Sequence, residues 1–136
     1  MKFLLDTNTC IVYLKGKNLS LKQKLESTLI KDIAVCSIVK SELFYGAMKS
    51  ANPQRNLLQQ QDFLAQFISL PFDDVAAMTF GTVRSQLEAL GTPIGAYDLQ
   101  IAAIALAHHL TLITHNTREF NRVNGLRIED WEMQSL

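Results

Sequence analysis

Cysteine is scarce in this sequence, and long apolar runs are absent. The two cysteines, Cys10 and Cys36, both lie in apolar segments, and no Cys-x-x-Cys spacing occurs. This pattern excludes a disulfide framework and a cysteine-rich zinc site, and it predicts buried free thiols in a reducing compartment. The longest apolar run, residues 101–107, is far too short to cross a bilayer.

The sequence also shows no pattern of a targeting segment or of a linker between domains. The first apolar stretch ends at Asp6, which is too early for the apolar core of a signal peptide. No internal repeat, low-complexity segment or linker interrupts the 136 residues. We therefore expect a single domain spanning residues 1–136, located in the cytoplasm and without a membrane partner.

The chain has no excess of charge of either sign. Lysine and arginine number 13, aspartate and glutamate also number 13, and the formal net charge is zero. Composition therefore does not indicate a strongly basic nucleic-acid binder, and any polyanion has to be held by a local patch or by a metal. With 48% hydrophobic and 19% charged residues, the chain can bury an ordinary core.

Short apolar runs separated by helical patterns indicate the fold class. Runs without polar alternation are typical of strands that are covered on both faces. The predicted strands are residues 3–5, 33–36, 68–72, 112–113 and 126–128. Pro71 cannot donate a ladder hydrogen bond, so the third strand is predicted at an edge. Strands alternating with helices predict an α/β fold with a central parallel sheet of four to five strands.

The helices are predicted from apolar periodicity and from residues that start or stop helices. Leu21, Leu25 and Leu29 form a stripe that predicts a helix over residues 20–30. Ser37 is a predicted N-cap, and Met48 and Leu58 are predicted to face the core from the next two helices. The remaining predicted boundaries are a helix to about Ser50, a start at Asn52-Pro53, a helix from Asp73 or Asp74 to Gly91, and a helix over residues 97–109.

Four polar residues fall at one edge of the predicted sheet. Asp6 follows the first strand, and Asn116 follows the fourth. Glu42 and Asp98 lie in the early turns of helices whose N-termini share that edge. Ligands of open α/β sheets bind at this edge. The alternative is that each acid only caps a helix or interacts with its N-terminus; taken alone, Asp6 fits the capping role better.

The residue types at this edge favour a hard metal ion. Three carboxylates near one point repel one another, and a core-facing acid requires a partner. No histidine or cysteine shares the predicted edge positions in a zinc-like spacing, and oxygen ligands suit Mg²⁺ or Mn²⁺. We therefore predict that Asp6, Glu42 and Asp98 bind Mg²⁺ or Mn²⁺ at this edge.

With these residues placed, the sequence resembles the PIN-domain nucleases, and specifically VapC-type toxins of bacterial toxin–antitoxin pairs, over essentially its whole length. The matching segments are FLLDTN (residues 3–8), SEL (41–43) with Gly46, TPIGAYDLQIAA (92–103) and THNTREF (114–120). The resemblance implies an α/β/α sandwich, Mg²⁺- or Mn²⁺-dependent cleavage of RNA such as tRNA, dimerisation, and inhibition by a cognate antitoxin. Asp6, Glu42 and Asp98 match three acidic site positions of the family, and the resemblance implies that they form a catalytic site with Asn116. In such a site the metal ion polarises a phosphate and lowers the pKa of a bound water, which attacks phosphorus in line. The fourth position, often Asp, is Asn116 here, and Glu119 is a nearby acid that could compensate.

Residues beside these positions are candidates for supporting roles. The hydroxyls of Thr7 and Thr114 are predicted to support the metal ligands. Lys40 and Arg118 lie next to site positions and are candidates for gripping RNA phosphates, with solvated surface charge as an equally favoured interpretation.

Partners and competing functions complete the expectations. The resemblance and the apolar helices between residues 20 and 67 predict a homodimer whose helical groove receives an antitoxin segment, within a larger toxin–antitoxin hetero-oligomer. One alternative is a haloacid-dehalogenase-like phosphatase, which needs a second Asp two residues after the first, where this chain has Asn8. A second alternative is a non-catalytic binding module with an acidic cluster.

Overall fold

The computed structural model of the chain describes residues 1–133, and its centre is a five-stranded parallel sheet. The strand order is β3-β2-β1-β4-β5. The strands are β1 (Phe3–Leu5), β2 (Ile33–Cys36), β3 (Ile68–Leu70), β4 (Thr111–Ile113) and β5 (Ile128–Glu129). The predicted parallel sheet is confirmed, and so is the edge position of the third strand, which ends directly before Pro71.

Helices alternate with the strands and complete a three-layer α/β/α arrangement. The helices found among residues 1–133 are α1 (Thr7–Lys15), α2 (Leu19–Ser27), α3 (Ser37–Met48), α4 (Pro53–Leu64), α5 (Asp74–Ala89), α6 (Ala96–Ala107) and the short α7 (Thr117–Phe120). A 3₁₀ turn, Ile30–Asp32, leads into β2. None of the helices in this part of the chain has the length and apolarity needed to cross a membrane.

The core forms where the apolar runs predicted it. Leu4 and Leu5 of β1 are fully buried, as are all four residues of β2. Helix α6 is apolar on nearly all sides, and Ile101 to Ala105 have no exposed surface. Burial from both sides explains why these strands lack polar alternation. The sheet therefore has rigid central strands, and their ends can hold side chains in fixed positions.

Polar residues cap the starts of several helices, and a glycine follows the end of α5. Asp6 is the N-cap of α1, and its Oδ1 accepts a hydrogen bond from the Thr9 backbone N–H at 2.8 Å. Asp73, and not Asp74, caps α5, through a bond from the Ala76 N–H to its Oδ1 at 3.0 Å. Gly91 follows α5 with φ 71°, a left-handed conformation that L side chains rarely adopt.

The predicted end of the second helix is wrong. Helix α2 stops at Ser27, and Leu29 lies outside it with 60% of its surface exposed. The hydroxyls of Ser27 and Thr28 both donate to the Lys24 carbonyl, at 3.1 and 2.6 Å. Side chains that bond nearby backbone in this way compete with helix continuation, and Thr28 takes an extended conformation.

Three further expectations are also wrong. Ser37 is the first residue of α3 and not its N-cap, because Cys36 occupies the cap position without a side-chain hydrogen bond. Met48 and Leu58 were expected in the core, but they are 63% and 61% exposed. Periodicity identifies which residues share a helix face, but it does not identify whether another element covers that face.

Candidate active site at the carboxyl edge of the sheet

Five polar side chains are carried to one edge of the sheet by five different elements. Asp6 stands between β1 and α1, Glu42 lies in the second turn of α3, and Asp98 lies in the first turn of α6. Asn116 follows β4, and Glu119 belongs to α7. The carboxyl ends of parallel strands and the N-termini of the following helices meet at this edge. We refer to Asp6, Glu42, Asp98 and Glu119 together as the carboxylate cluster.

Asp6 is fixed and almost fully buried. Only 5% of its surface is exposed, and its Oδ1 accepts the Thr9 N–H at 2.8 Å. Burial raises the pKa of Asp6, hydrogen bonds from Thr114 and Thr9 oppose that rise, and the negative charge of Glu42 adds to it. Asp6 is therefore both a helix cap and a buried carboxylate beside another acid, so the two interpretations made from the sequence are compatible.

A hydrogen bond between two helices positions Glu42. The hydroxyl of Thr7, the first residue of α1, donates to Glu42 Oε1 at 2.6 Å. This bond ties the start of α1 to the second turn of α3, although the two residues are 35 positions apart in the sequence. The predicted partner Thr7 is thus in contact with a predicted site carboxylate.

The pKa of Asp98 is affected by the other acids of the cluster. Burial and, to a smaller extent, the negative charges of Glu119, Glu42 and Asp6 together raise the pKa of Asp98 to about 6. A hydrogen bond with Glu119 also favours the protonated form. Like charges that lie close enough to raise the pKa of Asp98 favour the binding of a cation between them.

Asn116 is connected to the cluster through Glu119. Its Nδ2 donates to Glu119 Oε2 at 2.8 Å, and its backbone N–H donates to Thr114 Oγ1 at 3.0 Å. Thr114 is buried, with 1% of its surface exposed. The structure therefore brings Asn116, Glu119 and Thr114 together with Asp6 and Asp98, and Glu119 supplies an acid beside the position where an amide stands.

The two candidate RNA-binding cations lie on the elements that carry site acids. Lys40 is half-buried on α3, and Arg118 is exposed on α7 next to Glu119. Neither forms an ion pair with any residue between 1 and 133. Their contact with RNA phosphates stays a prediction.

A groove runs away from the site between three helices. It encloses about 320 Å³ between α1, α3 and α4. Its lining includes Ile11, Leu14, Lys15, Glu42, Gly46 and Gln60. The groove walls are mainly apolar, but Glu42 belongs to both the groove and the carboxylate cluster. A segment seated in the groove would therefore reach the site.

The donor set of the cluster fits a divalent hard cation. All candidate ligand atoms are carboxylate or amide oxygens, which Mg²⁺ and Mn²⁺ prefer. Burial and the neighbouring negative charges together raise the pKa of Asp98, and such an ion would relieve the repulsion between these charges. The cluster thus has the ligand type and the electrostatic imbalance of a divalent-metal site.

Sequence reasoning missed one buried polar residue of this edge. Thr9 is 1% exposed, and its hydroxyl donates to the Ile113 carbonyl at 3.1 Å. It joins α1 to the end of β4 while its backbone N–H binds Asp6. The only available signal was its position three residues after a candidate cap, where the cap's backbone partner is expected.

Comparisons with known proteins show the family to which the chain belongs. The PIN domain family matches residues 3–126. The tRNA(fMet)-specific endonuclease VapC of Salmonella typhimurium is 41% identical over 131 residues, covering 96% of this chain and 98% of the relative. Ribonuclease VapC2 of Haemophilus influenzae is 38% identical over 131 residues, with the same coverage.

Solved structures show the same fold. The crystal structure of DNA-bound VapBC from Salmonella typhimurium contains a chain with a TM-score of 0.91 and 41% identity, over 96% of this chain and 98% of that one. VapBC2 from Rickettsia felis, bound to a DNA fragment from its promoter, gives a TM-score of 0.87 and 34% identity, over 96% and 99%. The chain therefore belongs to the PIN-domain family and, within it, to the VapC-type ribonucleases.

Proposed function

We propose that this chain is the toxin of a toxin–antitoxin pair, an endoribonuclease that hydrolyses a phosphodiester bond of tRNA with the help of Mg²⁺ or Mn²⁺. The observation that carries the metal site is the convergence of the acids at the sheet edge, where burial and the charges of its neighbours raise the pKa of Asp98 to about 6. The substrate class rests on the relative that is 41% identical and specific for tRNA(fMet). We place the reaction in the cytoplasm, where tRNA is found.

Asp6, Glu42 and Asp98 are the proposed metal ligands. When bound, the ion polarises the scissile phosphate and lowers the pKa of the attacking water. Thr7 orients Glu42 through its 2.6 Å bond, and Thr9 and Thr114 orient Asp6. Such supporting partners keep ligand oxygens aimed at a common point.

Asn116 and Glu119 are proposed to position the attacking water. Because Asn116 Nδ2 is engaged by Glu119, its Oδ1 is the atom left to accept a hydrogen bond from water. Glu119 adds negative charge on the same side of the site. Lys40 and Arg118 are proposed to contact RNA phosphates, which binds the substrate without reading its sequence.

The proposed partners are an antitoxin and a second copy of the chain. The neighbouring structures with 41% and 34% identity are VapBC complexes, which supports binding of a cognate antitoxin in a hetero-oligomer. The groove beside Glu42 is the proposed seat for an antitoxin segment. For the free toxin, light scattering should give twice 15.3 kDa.

The central test is cleavage of tRNA by the purified chain. Activity should require Mg²⁺ or Mn²⁺, stop with EDTA, and be lost in Asp6→Asn, which removes a ligand charge but retains the size of the side chain. Asp62→Asn is the matched control, because Asp62 is exposed on α4. Cleavage by Asp6→Asn at the rate of the unmodified chain, or full activity in excess EDTA, would contradict the proposal.

A further inference from the structure

A second group of metal-ligating side chains stands at the end of the two outermost strands on one side of the sheet. His115 lies two residues after β4, Asp130 directly follows β5, and Glu132 is in the next turn. One ligand atom from each lies within 4.8 Å of the other two. Within residues 1–133, no other three His, Cys, Asp or Glu residues bring ligand atoms this close.

The backbone holds these side chains in place. Asp130 Oδ1 accepts the Glu132 N–H at 3.0 Å, and Asp130 Oδ2 lies 2.9 Å from His115 Nδ1. Ser20, at the start of α2, donates to the Trp131 carbonyl at 3.0 Å, and Trp131 is 3% exposed. The turn that carries the two acids is therefore anchored to the body of the domain and does not hang free.

The bond between His115 and Asp130 leaves Glu132, the third residue of the group, without a partner for one of its oxygens in the described part of the chain. Glu132 Oε2 is shielded from solvent and has no hydrogen-bond partner among residues 1–133. A shielded carboxylate oxygen without a donor loses hydration and gains nothing in exchange. Burial accordingly raises the pKa of Glu132, the nearby His115 opposes this rise, and the Asp130 charge adds to it. A cation held between the three side chains would compensate this oxygen.

We propose that His115, Asp130 and Glu132 form a binding site for a first-row transition-metal dication, separate from the carboxylate cluster, with water completing the coordination. One imidazole nitrogen and two carboxylate oxygens are ligands that Zn²⁺ accepts at about 2.0–2.2 Å. Ligand atoms at that distance from an ion lie roughly 3–4 Å apart. The ligand atoms of His115, Asp130 and Glu132, which lie within 4.8 Å of one another, reach this separation with small side-chain movements. The nitrogen ligand selects against Mg²⁺, which prefers oxygen.

The two sites share an edge but not their ligands. His115 stands in the chain between Thr114, which bonds Asp6, and Asn116, so the triad of His115, Asp130 and Glu132 lies beside the carboxylate cluster. Its ligands come from β4, β5 and the following turn, whereas Glu42 and Asp98 come from α3 and α6. An ion in the triad would add positive charge at the rim of the cluster without displacing its metal.

The test is calorimetric titration of the full chain with Zn²⁺ in millimolar Mg²⁺, so that Mg²⁺ occupies the all-oxygen site. One Zn²⁺ per chain should bind, and His115→Asn or Glu132→Gln should weaken binding by about 10- to 100-fold or more. His109→Asn is the matched control, because His109 is exposed and its φ of 56° is a conformation that Asn adopts readily. This control and Asp98→Asn should both bind Zn²⁺ as tightly as the unmodified chain.

Thermal unfolding supplies a second readout. Zn²⁺ should raise the melting temperature of the unmodified chain and of Asp98→Asn, but not that of His115→Asn, because only a bound ion stabilises the folded state. The proposal is overturned if the unmodified chain binds no Zn²⁺ in Mg²⁺. It is equally overturned if His115→Asn retains full Zn²⁺ binding while Asp98→Asn loses it, which would assign the ion to the carboxylate cluster.

Discussion

At the scale of single residues, the acids of the site are held by neutral donors and not by basic side chains. Thr7, Thr9 and Thr114 bind or orient the carboxylates, and no Lys or Arg of residues 1–133 pairs with Asp6, Glu42 or Asp98. Hydroxyl and N–H donors fix the oxygens without neutralising their charge. The unneutralised charge is what raises the pKa of Asp98 beyond the effect of its burial, and it makes the site's stability depend on pH.

Asp98 provides a prediction on pH. Its folded-state pKa of about 6 exceeds the unfolded value of 3.8, so the folded state binds more protons between those two values. In metal-free protein its contribution to stability therefore falls as pH rises from 3.8 to about 6, and is constant above. Asp98→Asn removes this titration. The melting temperature of Asp98→Asn minus that of the unmodified chain should grow across this window in EDTA.

The control for this prediction is Asp62→Asn, an exposed acid on α4. Its difference from the unmodified chain should show no such rise between pH 4 and 6. A pH-independent difference for Asp98→Asn would mean that the like charges at the edge do not act on Asp98.

Asn116 provides a second prediction. Asn116→Asp replaces the amide that donates to Glu119 with a carboxylate that repels it. We expect tighter Mn²⁺ binding and a lower melting temperature without metal, because the added charge favours the cation and destabilises the empty site. Asn116→Ala, which adds no charge, should reduce cleavage less than Asp6→Asn does. Calorimetric Mn²⁺ titration and thermal unfolding measure both effects, and identical behaviour of Asn116→Asp and the unmodified chain would exclude Asn116 from the site.

At the scale of elements, the order of strands and helices was enough to predict which acids meet. Apolar runs located β1, β2 and β4, and a parallel sheet then requires that Asp6, Glu42 and Asp98 share an edge. Their roles as metal ligands stay predictions, but their proximity is a property of the fold.

Other elements could not be predicted from the same pattern. The end of α2 depends on hydroxyls of Ser27 and Thr28 that compete for the Lys24 carbonyl. The role of Thr9 depends on a carbonyl of β4 that lies 104 positions away in the sequence. Both features depend on which hydrogen bonds form in the folded chain, and hydrophobic periodicity carries no information on those bonds.

The hydrogen bond between Thr7 of α1 and Glu42 of α3 can be tested by removing the Thr7 hydroxyl. Thr7→Val keeps the branched shape but removes the donor to Glu42 Oε1. Without it Glu42 is free to rotate away from the cluster, so Mn²⁺ affinity and cleavage should each fall by about 10- to 100-fold. Thr7→Ser, which retains the hydroxyl, should restore most of both. Equal Mn²⁺ affinity in Thr7→Val and the unmodified chain would show that this bond does not position a ligand.

At the scale of the whole molecule, a chain with zero net charge is proposed to bind and cleave RNA, a polyanion. Composition cannot attract RNA here, since acidic and basic residues are equal in number. On the proposed function, substrate binding rests on the local cations Lys40 and Arg118 and on a metal ion held by the carboxylate cluster. This concentration of function at one edge also means that a partner covering that edge can control the enzyme.

The groove between α1, α3 and α4 is where such control can be tested. Gly46 lines it, and a Cβ built on Gly46 meets no atom within 4 Å, so Gly46→Leu should fill the groove without disturbing the fold. The matched control is Gly81→Leu on α5, another helical glycine whose Cβ would meet nothing within 4 Å. In both variants leucine is the better helix former, so a loss of folding is not expected. Gly46→Leu should co-purify with less of its cognate antitoxin than Gly81→Leu does, and should escape inhibition in a tRNA cleavage assay. If Gly46→Leu binds and is inhibited as the unmodified chain is, the antitoxin segment lies elsewhere on the surface.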